Sequence, residues 1–277
     1  MPLVLVGTPI GNLGDLSPRA AIELGRADAI CCEDTRRPGK LLQHANIDRR
    51  PLIVVNDHTE RHTVDVVLAR LAAGERVVVV SDAGMPGIAD PGEQLVRAAL
   101  DAGHAVEVVP GPSAAITAAV ISGLPAGRFV FEGFLPRKGS GRSERLADVA
   151  AEGRTVVLYE APHRLLRTLA DLAASCGGDR EVALCRELTK LYEETWRGTL
   201  TAAIARGNDV EPRGEYVIVL DGAPAGAIAD DDDLLAALQA RLDAGESAKD
   251  AAADVAERFG IPKRRAYDLA ITLKRLG

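Results

Sequence analysis

Short apolar runs recur through the first 110 residues, at 3–6, 29–32, 52–55, 77–80 and 106–109, and most are rich in Val, Ile or Leu. Their length and near lack of polar alternation predict strands of a parallel sheet covered on both faces. Between them, residues 17–27, 63–73 and 92–102 place apolar positions at helical spacing. Ser17 is suited to cap the first of these helices and Pro18 to fill its first position, where a missing N–H breaks no hydrogen bond. Repeated strand–helix units with short connections predict a doubly wound α/β domain over residues 1–112.

The pattern changes near residue 113. A helical stretch at 113–122 is followed by strand-like runs near 129–132, 155–159, 181–185, 191–196 and 216–220. The runs at 181–185 and 191–196 are close enough in sequence to pair antiparallel, so a second α/β domain with a mixed sheet is expected over 113–224. The segment Asp221-Gly222-Ala223-Pro224-Ala225-Gly226 reads as a linker. Residues 225–277 then read as three helices. The last two, 247–259 and 263–276 around Gly260-Ile261-Pro262, have the layout of a helix-turn-helix: an Ala-rich helix, a glycine in the turn and a basic second helix. The expected fold class is α/β, with two α/β domains and a small C-terminal helical domain.

Composition sharpens this picture. With 47% hydrophobic but only 3% aromatic residues, the cores must be built mainly from Ala, Val, Leu and Ile. No apolar run approaches the roughly 20 residues that span a bilayer, and residues 1–6 enter a strand without a basic flank. Neither a membrane span nor a signal peptide is therefore expected. Cys31, Cys32, Cys176 and Cys185 have no C-x-x-C spacing and no accompanying His pair. That pattern supports neither a metal site nor a disulfide framework, and a reducing cytoplasm is the expected setting. A formal charge of −7 disfavours nucleic acid on average, because phosphate binding needs cations. Residues 137–145 and Lys263-Arg264-Arg265 with Lys274-Arg275 nevertheless form basic patches, with the acidic run Asp230 to Asp233 between them.

Three loops carry the candidate chemistry. Gly7-Thr8-Pro9-Ile10-Gly11-Asn12 follows the first strand, where glycines let backbone pass close to a ligand; a plain tight turn would explain it equally. Residues 81–92, with three glycines, two prolines and two aspartates, are more elaborate than a turn requires. Pro110-Gly111-Pro112-Ser113-Ala114 opens a helix whose N–H groups, from Ser113 onward, could meet a carboxylate or phosphate, or simply begin a Pro-initiated helix. By topology, all three lie at the carboxyl ends of strands of one sheet and so on one side of it. A small-molecule cleft is expected there.

The ordered set GTPIGN (7–12), CEDTR (32–36), SDAGMPGIADPG (81–92), PGPSA (110–114), FEGFLPRK (131–138), YEAPHR (159–164) and RELTKLYEE (186–194) resembles the tetrapyrrole methylase superfamily. Within it, the set resembles the branch that 2′-O-methylates a cytidine of 16S ribosomal RNA in the small subunit. The match runs over about residues 3–220, and the basic tail resembles one that many members carry. The resemblance implies S-adenosylmethionine folded between two α/β domains, and a homodimer. Carried over by motif, it places Thr8, Pro9, Ile10, Gly11, Asn12, Ser81, Asp82, Ala83, Gly84, Pro86, Gly111, Pro112, Ser113, Ala114, Glu160 and Leu188 at the cofactor. Ser81-Asp82-Ala83-Gly84 stands where the superfamily usually has Gly-Asp-Pro.

Methyl transfer to a hydroxyl needs alignment and is helped by a base. Glu33, Asp34, His163, Glu187, Lys190, Glu193 and Glu194 are candidates, with Glu187 and Lys190 first and Asp34 with Arg36 second. Each could instead belong to an ion pair or a solvated rim. Arg36, Arg37, Arg137, Lys138 and Arg164 read as RNA phosphate contacts, which position without reading sequence. Lys263, Arg264 and Arg265 read either as RNA contacts or as part of a packed cap, with the basic stretch favouring RNA. Two other functions fit the same core: methylation of a porphyrinoid carbon, and a cofactor-sensing regulator with a nucleic-acid-binding tail.

Overall fold

A computed structural model describes residues 1–55, 60–90, 92–224, 231–243, 246–259 and 263–276. Pro91 of the long loop, Ala225 and Gly226 of the linker, Asp230 and the Gly260-Ile261-Pro262 turn lie outside the described residues. The first half runs β1 (Leu3–Val6), α1 (Pro18–Arg26), β2 (Ala29–Cys32), α2 (Arg36–His44), β3 (Leu52–Val54), α3 (Glu60–Ala72), β4 (Val77–Val79), α4 (Glu93–Asp101) and β5 (Val106–Val109). All five strands are parallel, in the order β3-β2-β4-β1-β5. The central β1, β2 and β4 are almost wholly buried, whereas the edge strands expose Val54 and Val108, as expected for a sheet covered by helices on both faces. Its core is aliphatic: Leu3, Val4, Val6, Leu24, Ile30, Val77 and Leu95, with Cys31 and Cys32. The Ser17 hydroxyl accepts the Ala20 N–H at 3.1 Å and so caps α1.

The second half runs α5 (Ala114–Ile121), β6 (Phe129–Phe134), α6 (Ser140–Ala151), β7 (Thr155–Glu160), α7 (Pro162–Cys176), β8 (Glu181–Arg186), β9 (Glu194–Thr199), α8 (Leu200–Asp209) and β10 (Tyr216–Leu220). Here the order is β6-β7-β10-β8-β9, with β6 parallel to β7 and the other pairs antiparallel. One face packs Leu158, Leu169, Leu172, Ile218 and Leu220 together with α7 and α8. On the other face, Ala115, Ala118 and Ala119 of α5 meet Val157, Cys185 and Val217, and Ile10 from the first lobe joins the same cluster.

Two expectations need correction. The strand expected at 191–196 is β9, at Glu194–Thr199. Glu187 and Thr189 adopt left-handed backbone (φ +49° and +66°), and the Glu193 carboxylate accepts the Thr189 N–H at 2.5 Å, so residues 187–193 form a tight crossing before the strand resumes. The expected 181–185 partnership survives with that shift, Arg186 facing Glu194 and Glu181 facing Thr199. The second correction concerns the basic patch at 137–145. Arg142, inside it, is only 4% exposed and points inward from α6.

The tail comprises α9 (Asp231–Asp243), α10 (Ala248–Phe259) and α11 (Lys263–Leu276), packed around their own core of Leu234, Leu238, Ala251, Val255, Ala266 and Ala270. Lys263, Arg264 and Arg265 lie on exposed positions at the start of α11. No helix among the described residues is long and apolar enough to cross a membrane.

Candidate active site

Strand order explains why the loops meet. The loops after β1, β4 and β5 leave three adjacent strands, and the loop after β2 leaves the next one. Thr8 and Gly84 exchange backbone hydrogen bonds at 2.8 and 3.2 Å, and the buried Thr8 hydroxyl donates to the Ser81 carbonyl at 3.3 Å. A Cβ on Gly7 would lie 2.6 Å from the backbone of Gly111, and one on Gly111 would lie 2.7 Å from Gly7, so only paired glycines permit this approach. Gly11 faces the other lobe, where a Cβ would lie 2.4 Å from the Lys190 side chain. The Asn12 N–H donates to the Thr189 hydroxyl at 3.1 Å. The first loop is thus tied to both neighbouring loops and to the 187–190 crossing.

Two adjoining cavities open between these segments. The first, of about 440 Å³, is walled by Ile10, Asp82, Ala83, Gly84, Ser113, Ala114, Glu160, Leu188 and Lys190 among the expected residues. The second, of about 510 Å³, is walled by Thr8, Pro9, Ile10, Gly11, Arg37, Ser81, Asp82, Ala83 and Lys190. Ile10, Asp82, Ala83, Lys190 and Glu215 belong to both walls and form the partition between them. Several lining residues escaped the sequence reading: Met85, Ile88, Asp90, Phe134, Tyr159, Cys185, Glu215, Tyr216 and Val217 in the first cavity, and Leu13, Pro38, Lys40 and Leu41 in the second. Asp90, Tyr159 and Phe134 stand inside the quoted motifs, where a signal was present. Glu215 to Val217 carry none, because only the antiparallel pairing of β10 with β7 and β8 brings them to the cleft.

The candidate pair Glu187 and Lys190 is assembled, with unequal parts. The Lys190 ammonium donates to Glu187 Oε1 at 2.9 Å and to Glu215 Oε2 at 2.8 Å. Burial favours the neutral amine, but the two carboxylates outweigh it and raise the Lys190 pKa. Burial likewise opposes the Glu187 charge, yet hydrogen bonds from Lys190 and the Glu215 N–H leave its pKa lowered. Lys190 faces the cavities, while Glu187 lines neither and holds the lysine from behind. Asp34 and Arg36 form a close exposed ion pair that pulls Asp34 down to about 2, and neither lines either of these two cavities.

Carboxylates dominate the first cavity. Glu33, Asp82, Asp90, Glu160 and Glu215 line it. Burial pushes Asp90 up to about 6, with the neighbouring Asp82 charge adding to the effect, and burial also raises Asp82. Asp82 Oδ1 is buried and accepts no hydrogen bond among the described residues. Glu160 is different. Its carboxylate accepts from the Ala161 N–H (2.9 Å) and the Thr168 hydroxyl (2.6 Å), and pairs with Arg164 (3.2 Å). Arg164 also donates to the Leu135 carbonyl at 2.7 Å, so its guanidinium serves the fold of the cleft wall. Of the N–H groups expected at the start of α5, that of Ala115 donates to the Tyr159 hydroxyl at 3.2 Å.

The remaining expected residues lie farther out. Asn12, Pro86, Gly111 and Pro112 support the loops without lining either cavity. Arg137 and Lys138 are exposed between β6 and α6, and His163 and Glu193 are exposed as well. Glu194 pairs with Arg206 and Arg186.

Comparison with known proteins agrees with this architecture. Residues 2–204 match the family model of Tetrapyrrole (Corrin/Porphyrin) Methylases, and residues 226–274 match that of the RsmI C-terminal HTH domain. Among solved structures, the methyltransferase CobJ superimposes with a TM-score of 0.61 at 22% identity, covering 80% of this chain and 94% of that one. A Thermus thermophilus uroporphyrin-III C-methyltransferase complexed with S-adenosylhomocysteine gives 0.57 at 20% identity, covering 80% and 97%. Both establish the fold. Proteins named ribosomal RNA small subunit methyltransferase I are far nearer in sequence. That of Synechocystis is 45% identical over 99% of both chains, and that of Escherichia coli O157:H7 is 44% identical over 97% of this chain and 94% of its own. A Thermotoga maritima relative of the same name is 44% identical over 79% of this chain and 98% of its own. By near-full-length identity and by both matched segments, the chain belongs to the ribosomal RNA small subunit methyltransferase I family.

Proposed function

We propose that this protein uses S-adenosylmethionine to methylate the ribose 2′-hydroxyl of a cytidine in 16S ribosomal RNA, in the decoding region of the small subunit. The observation that carries the reading is the acid-lined first cavity, built where three glycine- and proline-rich loops meet the second lobe. Its residues fit the cofactor. Ile10, Met85, Leu188 and Val217 offer apolar walls to an adenine ring, backbone at 81–84 and 113–114 offers polar groups, and Asp82 and Asp90 suit a cationic sulfonium. When bound, the cofactor supplies an electrophilic methyl group on that sulfonium.

The chain's own residues do the rest. The loops and the 187–190 crossing fix the approach of acceptor to donor, which supplies much of the acceleration by alignment. Lys190, held protonated by two carboxylates, orients and neutralises the acceptor's negative charge. The hydroxyl proton goes to a carboxylate. Asp82, which lines both cavities and whose Oδ1 accepts no hydrogen bond among the described residues, takes it in this reading. Arg37, Arg137, Lys138 and the Lys263-Arg264-Arg265 stretch hold RNA phosphates. A homodimer belongs to the same reading, since Ile116 and Val120, one turn apart on α5, are 51% and 70% exposed and a second copy would cover them.

Nucleoside mass spectrometry of 16S ribosomal RNA from a strain lacking the gene tests the activity. Loss of 2′-O-methylcytidine, restored by the intact gene, is the expected result. An unchanged nucleoside profile would refute it.

A further inference from the structure

We infer that the second cavity is an acceptor chamber for one ribose–phosphate unit of an RNA strand, with Lys40 and Arg37 on its phosphate. This rests on the methyl-transfer reading above and assigns the acceptor a place within it. The two cavities differ in charge. Among the described residues, Lys190 is the one cationic side chain lining the first, against five carboxylates, whereas the second has Arg37, Lys40 and Lys190 against Asp82 and Glu215. A cationic donor favours the former and an anionic backbone the latter. Their common partition lets a group in one reach a group in the other without leaving the protein.

Helix α2 presents the cations. Pro38 and Leu41 are buried and anchor it, while Arg37 and Lys40, three residues apart, are exposed neighbours on its surface. Their surroundings leave both available. Arg36 is held by Asp34, and Lys190 keeps one N–H beyond those given to Glu187 and Glu215, whereas Arg37 only approaches Asp82 at 4.0 Å and Lys40 makes no hydrogen bond or ion pair among the described residues. Such groups suit an anion supplied from outside. Asp82 and Glu215 repel that anion from the partition, so the phosphate stays at the α2 rim while the sugar points inward. There, the buried Asp82 Oδ1, lacking a donor, fits a hydroxyl.

The test uses the full chain, S-adenosylhomocysteine and a labelled small-subunit RNA fragment titrated at several salt concentrations. Lys40→Ala is expected to weaken RNA binding several-fold and to flatten the log–log salt dependence by about 0.7, the value of one single-strand phosphate contact. Arg37→Ala combined with Lys40→Ala should weaken binding further without flattening the salt dependence beyond that one-contact value, because both cations sit on the same phosphate. S-adenosylhomocysteine affinity, read by calorimetry, should hold in both variants and shows that they are folded. Cytidine 3′-phosphate should compete with the RNA better than inorganic phosphate at equal ionic strength; equal competition would reduce the chamber to a plain anion site and overturn the ribose assignment. Unchanged RNA affinity and salt slope in the double variant, with uptake of the cofactor product intact, would overturn the chamber alone. Failure of the wild-type protein to take up the cofactor product would instead overturn the methyl-transfer reading beneath it.

Discussion

At Gly7 and Gly111 the two backbones come so close that one added methyl must displace main chain, not a flexible side chain. Gly7→Ala is therefore expected to lower S-adenosylhomocysteine affinity at least tenfold and to depress Tm by several degrees, read by calorimetry and thermal melting. Gly39 is the control. A Cβ there meets nothing within 4 Å, and the residue lies in α2, so Gly39→Ala should be neutral or stabilising by up to about 1 kcal/mol. Both glycines look alike in the sequence; the difference lies in which backbone crosses nearby. Asp90 allows a pH test. Its folded carboxyl keeps a proton up to about pH 6, whereas an unfolded aspartate releases it near 3.9. Between those values the folded state binds more protons, so this group makes stability fall as pH rises through that window and holds it down above. Asp90→Asn should raise Tm relative to wild type at pH 7.5 and lose that advantage near pH 4. A gain that is larger at pH 4 would contradict the burial described for this carboxyl.

The elements show where patterning suffices. The five parallel strands are legible because short runs nearly free of polar residues have one comfortable home, a sheet covered on both sides. Helix α1 was legible through Ser17 and Pro18. Helix α2 is not legible in the sequence, because Pro38 and Gly39 in its first turns mask a segment anchored by Leu41 and Leu42. Helix α6 passed as a charged patch, since nothing local reveals that Arg142 turns inward. There it donates to the Pro136 carbonyl (2.9 Å) and the Thr168 hydroxyl (3.0 Å) and pairs with Asp171 (2.7 Å). Thr168 in turn donates to Glu160. Through this chain, β7, α6 and α7 hold the loop that carries Arg137 and Lys138. Removing one partner of a buried pair strands the other. Arg142→Met should cost about 3 kcal/mol in denaturant unfolding followed by circular dichroism. Arg145, exposed on the same helix but paired with the mostly buried Glu132, should cost less under the same change, about 1 kcal/mol.

At the scale of the whole molecule, the order of the chemistry was legible and its geometry was not. Motifs placed three loops on one side of a sheet, but the split into two chambers depends on the 187–190 crossing reaching back from the other lobe, a contact 177 residues long in sequence. The tail has its own core, and the Thermotoga relative matches only 79% of this chain while nearly all of its own length is covered. Deleting residues 225–277 should therefore spare S-adenosylhomocysteine binding and weaken RNA binding. Calorimetry and an RNA titration on the shortened chain check both.

The aliphatic make-up of the first core has an optical consequence. Residues 1–112 contain no Phe, Tyr or Trp, while the lone Trp196 packs against the second lobe's core. Ultraviolet absorption, fluorescence and near-ultraviolet dichroism thus report on the second lobe and tail only, whereas amide dichroism reports on everything. Following one thermal transition with both signals would separate a molecule that melts as a single unit from one whose dark half loosens first.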